Sequence, residues 1–112
     1  MAISEHASGS QTCTISTEHT LNTTTPETTD GVFQFFIDTA NMVAGDVLEI
    51  RLKEKCRTGD TIRQLCMNTL AGAQSDPLWA SESFLLLHGW DFTIKQTAGT
   101  GRAFPWSIRK VA

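Results

Sequence analysis

The sequence predicts an all-β fold, an antiparallel β-sandwich or barrel of about six to eight strands with an extended Thr-rich N-terminal arm. Three observations predict it. Apolar residues recur at period two in separate stretches, most cleanly where Leu48, Ile50 and Leu52 alternate with Glu49, Arg51 and Lys53. Turn signals built on Gly, Asp and Asn interrupt the chain at short intervals. The segments between those turns leave little room for helices. With 112 residues the chain has the length of one domain. A chain of this size buries roughly two thirds of the surface that its unfolded form exposes, enough for one core.

Residues 1–30 differ in composition from the rest, with nine Thr and four Ser. The first ten residues are expected to be loose. A possible first strand spans 11–17, where Thr12, Thr14 and Ser16 alternate with Cys13, Ile15 and Thr17, and Thr suits a pleated surface. Asn22 to Asp30 then forms a long polar connection, completing an arm in front of a single β domain over residues 31–112. After the Thr29-Asp30-Gly31 turn, Phe33, Phe35 and Ile37 define an apolar face and Gln34, Phe36 and Asp38 the opposite one. Phe36 is the odd residue on that second face, either covered by the Thr-rich arm or offered to a partner. The strand at 47–53 sets Glu49 and Arg51 on a solvated face.

Residues 61–70 are ambiguous. Ile62, Leu65, Cys66, Thr69 and Leu70 fit a helical stripe with Asp60 as N-cap. Flanking strands favour a strand instead, buried on both sides. Ser83 to Leu87 is short and continuously apolar, as in a strand covered on both faces. Trp90, Phe92 and Ile94, and later Phe104, Trp106 and Ile108, complete the inward set.

Between those last two runs lies Gly99-Thr100-Gly101-Arg102. It is a poor dinucleotide fingerprint, because Phe104 stands where the third glycine belongs and Pro105 blocks a helix. The residues at 98–101 are expected to form a hairpin connection whose glycines supply positive φ. Pro105 cannot donate a ladder hydrogen bond and so marks an edge strand or a bulge. There it either meets a neighbouring subunit or discourages one.

Other chemistry is sparse. The net charge of −3 argues against a nucleic-acid partner, and no charge pattern points to a membrane surface. Apolar runs of at most four or five residues are too short to span a bilayer, and residues 1–25 lack a signal-peptide core. A soluble chain made in a cytoplasm is expected. Cys13, Cys56 and Cys66 fit no zinc spacing and are expected to be buried free thiols, with a Cys56–Cys66 bridge as the alternative. His6, His19 and His88 are expected in surface or turn positions. No nucleophile elbow or calcium loop occurs, and the Asn22-Thr23-Thr24 sequon is incidental without a signal peptide. No catalytic residue, cofactor or metal is expected. Trp79, Trp90 and Trp106 could stack on sugar rings in a carbohydrate- or ligand-binding sandwich, although alternation places Trp90 and Trp106 inward.

Two blocks carry a resemblance. One runs from Gly31-Val32-Phe33-Gln34-Phe35-Phe36-Ile37-Asp38 through Asn41-Met42 and Gly45-Asp46 to Leu48-Glu49-Ile50-Arg51 and Glu54-Lys55. The other is Lys95-Gln96-Thr97-Ala98-Gly99-Thr100-Gly101-Arg102 followed by Phe104-Pro105-Trp106-Ser107. Together they resemble small structural proteins of tailed-bacteriophage virions, of the decoration or cement type, over about half the chain. The resemblance implies a non-enzymatic all-β component of the virion, made in the host cytoplasm. Its partners would be the major capsid protein or other virion proteins, and further copies of itself. A tail or head–tail connector component is the variant within that class. The residues themselves fit such a role independently of the resemblance, and the expected contact elements are residues 1–30, Phe36, and Gly99, Thr100, Gly101, Arg102 and Pro105.

Overall fold

Period-two burial is cleanest over residues 31–38 and 47–54 of the computed structural model, which describes residues 2–22 and 24–111. Thr23, at the centre of the sequon, lies outside them. Among the described residues there are nine strands and no helix: β1 Ile3–Thr12, β2 Glu18–Thr20, β3 Gly31–Asp38, β4 Val47–Glu54, β5 Arg63–Ala71, β6 Leu78–Ala80, β7 Phe84–Leu86, β8 Trp90–Ala98 and β9 Ala103–Val111. All pairings are antiparallel. One sheet has the order β1-β9-β3-β6, with β7 also on β3, and the other has the order β2-β8-β4-β5. The count exceeds the expected one because β2, β6 and β7 are three-residue strands.

The two sheets meet on the residues that alternation marks as inward. Phe33, Phe35 and Ile37 of β3 and Phe104 and Ile108 of β9 face Leu48, Ile50 and Leu52 of β4 and Trp90, Phe92 and Ile94 of β8. Each such burial contributes about 1.5–3 kcal/mol relative to exposure. The aromatics form one contiguous cluster, with Trp90 4.8 Å from Phe33 and 5.7 Å from Phe35, and Phe35 4.5 Å from Phe92, between ring centroids.

Several expectations are corrected. Residues 3–10 are not loose, and the first strand is Ile3–Thr12, not 11–17. Ile3–Thr12 pairs along its length with β9, with one irregularity between Glu5 and Ala7, and residues 13–17 are the connection to β2. Thr and Ser suit this position because β1 is an edge strand with mostly solvated side chains. The following polar stretch is pinned to β8. Leu21 N–H donates to the Phe92 carbonyl, Asn22 Oδ1 accepts from Phe92 N–H, and Glu27 and Trp90 exchange both backbone hydrogen bonds. The first thirty residues thus contribute a strand to each sheet.

Residues 63–71 are a strand, not a helix, but only one side packs. Cys66 and Leu70 lean on the core, whereas Leu65 and Met67 are 49% and 44% exposed. β7 is likewise covered on one side: Leu86 is buried and Leu85 is 80% exposed. All three cysteines are free, but only Cys13 is buried, and Cys56 is exposed on the β4–β5 connection. Burial pushes the Cys13 thiol up to about 11, against a smaller opposing effect of a hydrogen bond with the Gln96 backbone.

Candidate interaction surface

The segment at 98–103 is not a hairpin. β8 and β9 lie in different sheets, so this stretch carries the chain across the sandwich. What fixes the crossing is a polar knot. The Asp46 carboxylate is almost wholly buried. It accepts hydrogen bonds from Val43 N–H at 3.0 Å, Thr100 N–H at 3.3 Å and Arg102 Nε at 2.9 Å. Buried Gln96 works from the other side. Its Nε2 donates to the carbonyls of Ala98 and Thr100, and its Oε1 accepts from Arg102 N–H. The buried side-chain polar atoms of the knot are therefore matched, as burial requires. Two glycines permit the close approach: a Cβ at Gly99 would overlap Asp46 Oδ1, and one at Gly101 would overlap the Cys13 carbonyl oxygen.

Of the expected contact residues, Gly99, Thr100, Gly101 and Arg102 are thus bound into this corner by their backbones, and Arg102 also by its side chain. Phe36 and Pro105 lie elsewhere, on the outer face of the β1-β9-β3-β6 sheet. Pro105 is not on an edge strand, since β9 runs between β1 and β3. It is tolerated because the β3–β9 ladder stops at Ile37↔Trp106, so at Pro105 the strand has only β1 beside it. Phe36 is covered from β9 rather than by the arm: the Arg109 guanidinium sits 3.7 Å from its ring centroid. Two hollows of about 200 and 130 Å3 flank Phe36.

The same face carries a feature that the sequence did not announce. Ile3 pairs with Val111, Val111 with Val32, and Val32 with Leu85. Directly opposed residues in antiparallel strands share a face. Four apolar side chains from four strands therefore form one outward row, with Ile3 73% exposed at one end and Leu85 80% exposed at the other. The parity of Val32 with Phe36 was a signal for part of this row. Its completion by Ile3, Val111 and Leu85 depends on pairings between distant strands.

At the end of the sandwich, His6 Nε2 lies 3.3 Å from Glu27 Oε1, and Thr29 Oγ1 donates to Glu27 Oε2 at 3.0 Å. Burial opposes ionisation of Glu27, but the hydrogen bonds with His6 and Thr29 outweigh it and hold its carboxyl below the usual range. At Asp46 the Val43 N–H is the largest influence, and together with Arg102 it lowers that carboxyl too, against burial. Both groups have folded values below their unfolded ones, so the stability they contribute is present above the unfolded carboxylate range and is lost as pH falls through the folded values. The urea midpoint is therefore expected to hold on the neutral side and to fall below about pH 4. Asp46→Asn should flatten that fall; an unchanged acid profile in the variant would disprove the assignment.

Trp90 is 0% exposed, with its Nε1 donating to the Thr29 carbonyl, so its ring is closed to a sugar. Among the described residues no group of three or more His, Cys, Asp or Glu side chains is placed to hold a metal ion, and no helix is long and apolar enough to cross a membrane. No protein-family model, curated protein sequence or solved structure matches the chain.

Proposed function

We propose that this chain is a non-enzymatic structural protein of a tailed-phage particle, a decoration protein that seats on the capsid and contacts the major capsid protein or another virion protein. The observation that supports this reading most is the outward row of Ile3, Val111, Val32 and Leu85, continued toward Phe36 and Pro105 on the same face. An apolar strip on a rigid sheet loses little conformational entropy on docking, so most of its burial is available for binding. The polar clusters support the same reading from the other direction. Asp46, Gln96 and Arg102 satisfy one another in the corner and hold the backbone. The sequence resemblance supplies the particle.

The test is retention on purified capsids. The wild-type chain is expected to remain with shells through sedimentation, in copies spread over the surface. Val32→Lys combined with Leu85→Lys should abolish retention; both lie on the outer face, Leu85 exposed and Val32 half-buried, and far-ultraviolet circular dichroism checks that the double variant remains folded. A wild-type chain that washes off the shells, or a double variant that stays on, would overturn the proposal. Localisation to a small ring at the portal or tail would replace the decoration role with a connector role.

A further inference from the structure

The four sheet edges are not equivalent. Edge strands expose unpaired N–H and C=O groups, and proteins blunt them by shortening, bulging or charging. β2 is three residues long, and β6 and β7 are two three-residue pieces separated at Ser81–Ser83. There Ser81 N–H donates to the Phe35 carbonyl, and its Oγ accepts from Phe35 N–H. β1 is long, with one irregularity between Glu5 and Ala7, and its regular part, Ala7–Thr12, presents only small and polar side chains. β5 is the other long edge, with Leu65 and Met67 exposed along it. It has nine residues, no proline and one charge, Arg63, at its first position. The register shift in its pairing with β4 falls between Leu52 and Lys53, which leaves Cys66–Ala71 regular.

The residue order of β5 says what pairs there. Antiparallel pairing of a strand with its own copy about a two-fold axis normal to the sheet sets one position opposite itself and the others in reciprocal pairs. With Asn68 on the axis, Asn68 meets Asn68, Cys66 meets Leu70, and Met67 meets Thr69. Amide faces amide, and the two core-leaning residues face each other. The Asn68 side chain is exposed and makes no hydrogen bond within the described chain. The two Arg63 residues fall at opposite ends, so the arrangement brings no like charges together, whereas a parallel pairing would set them side by side. The two sheets also part next to this edge, where Trp79 and Phe84 line a cleft of about 520 Å3 with Cys66 and Met67. A strand added to β5 extends the β2-β8-β4-β5 sheet alongside that opening.

We propose that β5 pairs with β5 of a second copy of this chain, two-fold and antiparallel about Asn68, joining two four-stranded sheets into one of eight. This interface is distinct from the outward row and does not depend on the virion reading.

Sedimentation over a concentration series tests it. The wild-type chain is expected at twice the single-chain mass of 12.3 kDa. Asn68→Lys places two ammonium groups at the axis and should return the mass to that of one chain, whereas Thr97→Lys on β8 should leave it doubled. Near-ultraviolet circular dichroism checks that both variants remain folded. In a Cys56→Ser background, Asn68→Cys should form a covalent dimer under mild oxidation, and Thr97→Cys should not. A wild-type chain that stays single at every concentration, another stoichiometry, a dimer that survives Asn68→Lys, or no crosslink at 68 would each overturn the proposal.

Discussion

Trp90→Ala is expected to cost about 3–5 kcal/mol, the range for deleting a large aromatic from a core that only partly collapses. The ring has no solvent exposure and sits at the meeting point of both sheets, against Phe33 and Phe35. Its loss also strands the Thr29 carbonyl, which accepts from Nε1, and removes the ring beside His6. The damage therefore reaches the 21–29 segment as well as the core. Domains of this size have about 5–15 kcal/mol in total, so the variant should be partly unfolded near physiological temperature. Urea unfolding followed by far-ultraviolet circular dichroism measures the change. Trp106→Ala, at a half-buried ring lying over Gly9, should lose distinctly less. Equal costs at the two positions would contradict the core described here.

The second large effect is expected at Gly99, and it can be divided into its causes. Gly99 and Gly59 have nearly the same backbone angle, φ +88° and +89°, a region that costs an L side chain about 1–2 kcal/mol. They differ in surroundings. A Cβ at Gly59 meets nothing within 4 Å, whereas one at Gly99 strikes the Asp46 side chain and comes within 2.9 Å of its Cα. Gly59→Ala should therefore lose only the backbone cost. Gly99→Ala should lose that plus the displacement of Asp46 from its donors, about 2–5 kcal/mol together. Urea midpoints of the two variants give the difference directly. If they match, the close packing of the crossing against Asp46 is not what the glycine serves.

The β class was legible because the inward residues of β3, β4, β8 and the middle of β9 are large and strictly alternating, and nothing in the tertiary structure opposes that pattern. What remained illegible was partnership. Ala98 to Ala103 looks like a hairpin because two alternating runs flank a short glycine segment. The difference between a hairpin and a crossing lies in Asp46, far away in sequence, and Gln96, close by, which bind the loop into a corner. Inference from a continuous apolar run failed at Phe84 to Leu86 for a related reason: a run of identical polarity has no period, so it does not say that Leu85 faces out. β1 was missed because an edge strand of Ser, Thr and Gly carries almost no hydrophobic signal, and its pairing is dictated by β9. Phe36 and Pro105 were picked out correctly as lying off the inward face, while the row that gives that face its character was assembled by register alone.

The pairing of Ile3 with Val111 joins positions 108 apart in the chain (111 − 3). During synthesis β1 must wait, unpartnered, until β9 has left the ribosome. An apolar segment kept waiting in that way would invite misassembly. The hydroxyl-rich, weakly sticky composition of Ile3–Thr12 fits a segment that has to remain hydrated until its late partner emerges.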